Sequence, residues 1–171
     1  PGEFPWRECY WVYGGANDGM MGWLANAGLA NQGKVIGVMP KFINWKERIH
    51  PGLTEFIEVD DMHQRKKVMS EKSDACICLR GGLGTLDELF ECATWTQLQL
   101  HQNGRFIPCG LWNYHGMYTH LVKHLDAMAG YGVIKPDARK IIFDEVSLVS
   151  LFNTLAQAID ARAALRTEQS V

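Results

Sequence analysis

Apolar positions along this chain fall into two alternating rhythms. Short β-rich runs occupy Tyr10–Tyr13, Lys34–Met39, Thr54–Val59, Asp74–Leu79, Arg105–Leu111 and Lys140–Phe143. Between them lie longer stretches with apolar residues at helical spacing: Asp18–Gln32, Asp61 to about Lys72, the glycine turn at 80–85 onward to about His101, Met117–Ala129 and Ser147–Leu165. The short runs predict strands and the long ones amphipathic helices. The punctuation agrees, because Gly33 closes the first helix, Pro40 stops the second strand, Asp60 or Asp61 caps the next helix, and Gly130 and Gly132 end the fourth. Strands alternating with helices in this way predict an α/β fold with a mostly parallel sheet and helices on both faces.

The chain has 171 residues, 47% apolar and 21% charged. That length predicts one domain, taken as residues 1–165 with a tail at 166–171, and that composition excludes a disordered, collagen-like or disulfide-scaffold chain. A formal charge of −2 leaves no global footprint for nucleic acid or an anionic membrane. No stretch approaches the roughly 18 apolar residues of a membrane span. Neither nucleic acid nor membrane is therefore an expected partner, and any bound anion must be held by a local site. The five cysteines, Cys9, Cys76, Cys78, Cys92 and Cys109, form no CxxC pair and read as buried thiols of a reducing cytoplasm. The opening residues contain no apolar signal region, so a cytoplasmic location is expected.

Chemistry concentrates in the strand, glycine loop and helix at 74–101. Gly81, Gly82 and Gly84 leave backbone N–H groups exposed beside a helix N-terminus, which together make an anion cradle suited to phosphate. The loop is not a Walker A, since no Gly-Lys-Ser/Thr follows, and Asp87 stands where a dinucleotide fingerprint needs its third glycine or alanine. Glu88 lies three residues after Thr85, so Thr85-Leu-Asp-Glu88 also reads as a capping box. A carboxylate that close to an anion site is otherwise repulsive unless it acts on a neutral or cationic part of the ligand. Arg65 is a second oddity: it shares a stripe with Met62, Lys66 and Met69 at i, i+3, i+4 and i+7, which turns a guanidinium inward toward a structural carboxylate or toward ligand charge. Gly14-Gly15 opens another strand-to-helix turn, placed to line a crevice at the carboxyl ends of strands. No acidic residue ends the next strand at Met39-Pro40, which argues against a dehydrogenase. His120 and His124 lack the zincin glutamate, so no metal is expected, and no cofactor is called for.

Taken in order, Val12-Tyr-Gly-Gly, Gly19-Met-Met-Gly22, Val35-Ile-Gly-Val-Met-Pro40, Met62-His-Gln-Arg-Lys66, Ser73-Asp-Ala, Gly81-Gly-Leu-Gly-Thr-Leu-Asp-Glu88, Thr94-Trp-Thr-Gln97 and Gly110-Leu-Trp-Asn-Tyr-His-Gly116 resemble the LOG ("lonely guy") family. The family pattern Pro-Gly-Gly-x-Gly-Thr-x-x-Glu falls on Arg80–Glu88, with Arg80 in the proline's place. The resemblance implies a Rossmann-like nucleotide-binding domain, usually a homodimer. Its implied reaction is hydrolysis of the N-glycosidic bond of a cytokinin riboside 5′-monophosphate, or of AMP, to free base and ribose 5-phosphate. It implies catalytic roles for Arg65 and Glu88, with the nucleotide and its phosphate held by Gly14, Gly15, Met62, Lys66, Gly81, Gly82, Gly84 and Thr85. Arg65 would serve the phosphate, the ribose or the leaving base. A non-catalytic nucleotide- or molybdenum-cofactor-binding protein on the same scaffold is the alternative. The lysine decarboxylase label carried by many members finds no support here, since no lysine stands out as a Schiff-base site. The resemblance implies a strand-helix unit ahead of Val12, which the roughly ten unlike residues preceding it are not expected to supply. Its central place in the sheet is therefore expected to be taken by residues 4–13 or a partner chain, or the sheet order to be rearranged.

Overall fold

A computed structural model of the chain describes residues 9–43 and 48–169. Residues 4–8, part of the segment expected to fill the sheet, lie outside the described residues. The chain divides into two compact units between Ser73 and Asp74.

In the first unit, β1 (Tyr10–Tyr13), α1 (Gly19–Ala30), β2 (Lys34–Pro40), β3 (Glu55–Val59) and α2 (Met62–Glu71) follow one another. The strands form a parallel sheet in the order β1-β2-β3, with Val12 opposite Ile36 and Val38 opposite Ile57. The segment Tyr10–Tyr13 is thus β1 itself, paired with β2. Central β2 is buried from Val35 to Pro40, which explains its unbroken apolar run. The buried residues of α1 are Gly22, Ala25 and Gly28, small side chains that let the helix sit close on the sheet. Trp11, Leu24 and Leu29 pack around Tyr13, Ala25 and Val35 there. Helix α2 packs on β2 and β3. Its start is set by Asp61, whose carboxylate accepts the Gln64 N–H at 2.8 Å, while the Gln64 side chain accepts the Asp60 N–H at 3.0 Å.

In the second unit, β4 (Cys76–Cys78), α3 (Leu83–Leu98), β5 (Cys109–Trp112), α4 (Thr119–Gly130), α5 (Pro136–Arg139), β6 (Ile142–Glu145) and α6 (Leu148–Gln169) build a second parallel sheet, ordered β4-β5-β6. Cys109 and Leu111 point to one face, where Leu89 and Ala93 of α3 and Leu125 of α4 cover them. Gly110 points to the other, where a side chain would come within 2.9 Å of Leu151 and Leu155 of α6. The fold class is therefore the expected one, α/β with parallel strands flanked by helices on both faces. Among the described residues its strands form two three-stranded sheets, with β1 and β4 at an edge of each. Helix α6 runs on to Gln169, into the segment expected to be a tail. The short α5 falls between two predicted elements and is too brief to show a periodicity.

Candidate active site

In the first unit the site residues gather where β1 and β3 end. Gly14, Gly15 and Ala16 are all buried. Gly15 has φ +85°, a conformation that favours glycine, and it crosses β2 so closely that a side chain on Gly37 would stand 2.7 Å from the Gly15 Cα. The turn is tied down from several sides. The Tyr13 hydroxyl donates to the Ala16 carbonyl at 3.1 Å, the Asn17 N–H to the Arg48 carbonyl at 2.8 Å, and the His50 N–H to the Gly15 carbonyl at 3.0 Å. His50 is itself buried. Its Nδ1 accepts the Gly52 N–H at 3.1 Å, so the other nitrogen carries the proton and donates to Asn26 Oδ1, also at 3.1 Å. Burial pushes the Tyr13 phenol up to about 12.

Arg65 lies against this turn. A side chain at Gly14 would collide with the Arg65 Nη2, so glycine there makes the room that the guanidinium occupies; Met21 closes the same spot. Arg65 Nη1 points to Met62 Sδ at 3.8 Å. The stripe reading of α2 holds: Met62, Arg65, Lys66 and Met69 are half-buried, whereas His63, Gln64 and Lys67 are exposed. The structure thus brings Gly14, Met62 and Arg65 together, with Gly15 beneath the turn and Lys66 next along the helix.

In the second unit, β4 leads through Leu79, Arg80 and Gly81 to Gly82, the N-cap of α3. The helix starts two residues before Thr85, and no side chain caps it. The capping box expected from Thr85 and Glu88 is therefore not formed; Thr85 lies inside the first turn, with its side chain folded against Gly81 so that nothing larger than glycine fits there. None of Gly81, Gly82 and Gly84 has a positive φ, so their use is the absence of a side chain and not a left-handed turn. Among the described residues, nothing lies within 4 Å of where a side chain on Gly82 or Gly84 would stand. The first turn of α3 leaves its N–H groups without partners inside the helix, at the positive end of the helix dipole. Glu88 is half-buried further along α3. Close by, the Cys78 thiol is pushed well above its usual value by its hydrogen bond to Cys76 and by burial, with the Cys76 and Glu88 charges adding to the effect.

Sequence reading gave no role to the residues that hold this second turn. The Tyr118 hydroxyl donates to the Leu79 carbonyl at 2.5 Å, one residue before Arg80. Asn113 accepts the Tyr118 N–H at 2.8 Å and donates to the Thr119 hydroxyl at 3.2 Å. A polar residue ending a buried strand, followed at short range by a buried tyrosine, was the available signal. His120 and His124 are exposed on α4.

The family described as "possible lysine decarboxylase" matches residues 21–155 of the chain. A cytokinin riboside 5′-monophosphate phosphoribohydrolase of Rhodococcoides fascians is 47% identical over 129 residues, which is 75% of this chain and 63% of that protein. A probable cytokinin riboside 5′-monophosphate phosphoribohydrolase of Arabidopsis thaliana is 41% identical over 92% of this chain and 76% of its own length. A further Arabidopsis cytokinin riboside 5′-monophosphate phosphoribohydrolase is 38% identical over 93% of this chain and 73% of its own. The chain spans 63% to 76% of these three relatives' own length, less than two thirds in the first, and 52% of a probable cytokinin riboside 5′-monophosphate phosphoribohydrolase of Oryza sativa.

Proposed function

The chain belongs to the LOG family, also described as possible lysine decarboxylase, and from that premise we propose that it hydrolyses the N-glycosidic bond of a nucleoside 5′-monophosphate. The substrate is a cytokinin riboside 5′-monophosphate or AMP, and the products are the free base and ribose 5-phosphate. In this reaction the bond from ribose C1′ to the base nitrogen breaks, water adds at C1′, and the proton that water loses balances the base that leaves. Positive charge develops at C1′ on the way, in an oxocarbenium-like state, and a carboxylate stabilises it and orients the water, as in glycosidases. Glu88 takes that role. The first turn of α3, opened by Gly81, Gly82 and Gly84 and closed by Thr85, receives the phosphate. Arg65, with Met62 and Lys66 on its helix and Gly14 and Gly15 in the turn it faces, supplies positive charge to the nucleotide.

The observation that carries the reading is the Arg65 guanidinium seated on Gly14. Glycine at this strand's carboxyl end leaves the room that the cation occupies, beside the backbone turn where ligands of open α/β sheets bind. No resident metal or cofactor takes part in this reading. The five free cysteines fit a reducing, cytoplasmic setting, and among the described residues no helix is long and apolar enough to cross a membrane. Exposed apolar side chains such as Trp23 on α1 and Leu98 on α3 support assembly as a homodimer, which light scattering would read directly.

The test is chromatography of AMP and of isopentenyladenosine 5′-monophosphate incubated with the protein. The expected result is stoichiometric free base and ribose 5-phosphate from at least one of them. Saturable binding of both with no base released would overturn the enzyme reading in favour of a non-catalytic nucleotide binder.

A further inference from the structure

The amino ends of β4 and β5 carry a group of side chains that glycoside hydrolysis does not use. Cys76 opens β4, Cys109 opens β5, and the two are direct partners in the parallel register. Their side chains therefore leave the same face of the sheet. Helix α3 crosses that face, and its Cys92 packs into the same core as Cys76, Cys78, Leu89, Ala93 and Cys109. The three sulfur atoms of Cys76, Cys92 and Cys109 lie within 4.8 Å of one another. Helix α3 begins beside the glycine turn at the carboxyl end of β4, and the path from Leu83 to Cys92 is about 13 Å of helix at roughly 1.5 Å per residue. The thiols thus sit at the opposite end of the strands from that turn.

We propose that Cys76, Cys92 and Cys109 form a three-thiolate site for a soft cation, with Zn(II) as its occupant. With Zn–S bonds of about 2.3 Å, sulfurs around a tetrahedral ion stand about 3.8 Å apart, so three sulfurs already within 4.8 Å need to close by at most about 1 Å. Small adjustments of the cysteine χ1 angles cover that distance. The donors come from two paired strands and a helix, which are rigid supports for a metal site.

The backbone around the thiols is held by a polar network. The Thr96 hydroxyl donates to the Ile107 carbonyl at 2.9 Å, and the buried His101 Nε2 lies 2.9 Å from that hydroxyl and 3.2 Å from the Cys92 carbonyl. A carbonyl only accepts, so Nε2 carries the proton and is spoken for. These bonds clamp the end of α3 to the entry of β5, and so fix Cys92 against Cys109, as outer hydrogen bonds do around metal ligands. The sulfurs supply three ligands, and an exchangeable water completes four-coordination as in other three-ligand zinc sites. Cys109 is fully buried whereas Cys76 and Cys92 are half-buried, which sets the side from which ion and water enter. On binding, each S–H bond is replaced by a Zn–S bond and its proton passes to the buffer.

The test uses the full chain, reduced and stripped of metal. Zn(II) is titrated against a chromophoric chelator, and Cd(II) is titrated separately to read the near-ultraviolet thiolate-to-metal band. The expected result is one ion per chain with a Kd on the order of 1 μM or tighter, weakened at least 100-fold in both Cys76→Ala and Cys92→Ala and unchanged in Cys9→Ser. Circular dichroism melts check that the variants fold, and the wild-type Cd(II) band decides the matter if either does not. Absence of a stoichiometric thiolate band in the wild-type protein, or unaltered Zn(II) affinity in a folded Cys76→Ala or Cys92→Ala, would overturn the proposal.

Discussion

At the end of β1 the chain turns through Gly14 and Gly15, both buried, beneath a guanidinium and stitched to residues 48–50. At the end of β4 it turns through Gly81 and Gly82 into a helix in whose first turn, among the described residues, nothing stands within 4 Å of where a side chain on Gly82 or Gly84 would be. One turn uses glycine to bring protein atoms together, and the other, at Gly82 and Gly84, uses it to keep them away. Short glycine-rich segments that look alike in sequence therefore differ in what a substitution should do. In the first, added bulk strains the fold and displaces Arg65; in the second, bulk at Gly82 or Gly84 leaves the fold intact and obstructs whatever approaches the backbone, while Gly81 is held to glycine by the Thr85 side chain.

The sharpest break of this comparison lies just beyond the open turn. Glu88→Gln should lower base release by on the order of 10²–10³, the size of losing a charge-stabilising group. The fold should persist, because Gln keeps the size of the side chain and an acceptor oxygen. A large fall in melting temperature with unchanged turnover would return Glu88 to a structural role.

The buried turn should respond in both readouts. Arg65→Ala is expected to reduce kcat/KM at least tenfold, with Lys a poor replacement because it lacks the planar fork. Gly14→Ala should imitate that loss by pushing the guanidinium aside, and should also cost about 1–3 kcal/mol in denaturant unfolding through overpacking. Wild-type kinetics in either variant would detach Arg65 from the reaction.

Smaller effects separate the turns further. Tyr13 is 5% exposed and its phenol is raised to about 12, so the fold favours the neutral form. The stability this provides is fully present below pH 10 and is lost as pH rises through 12, amounting to about 1 kcal/mol at pH 11. Urea unfolding of the wild-type protein should weaken over that window, and Tyr13→Phe should flatten the dependence. The smallest effect is expected at the open turn, where Gly84→Ala should raise stability by about 0.5–1 kcal/mol, since alanine is the better helix residue and nothing obstructs it. The same variant should bind AMP more weakly by calorimetry. A gain in stability with unchanged affinity would remove the first turn of α3 from the phosphate site.

Much of this molecule was legible in residue order alone. Alternating runs and helical stripes located every strand of both sheets, because burial on two faces demands continuous apolar residues and burial on one face demands a period of 3.6. The stripe through Met62, Arg65, Lys66 and Met69 was legible for the same reason, and it singled out Arg65. Local reading erred where two physical solutions share one spelling. Thr85 and Glu88 have the letters of a capping box, yet α3 starts earlier at Gly82, while capping pairs do form at Asp61 and Gln64 and at Ser147 and Ser150. Only the tertiary structure decided which glycine makes room for Arg65, that Tyr118 holds the Leu79 carbonyl, that the loop at 48–50 anchors the first turn, and that three cysteines far apart in the chain converge. Such contacts join residues tens of positions apart, and their partners are chosen by strand register and helix packing, which no local period records.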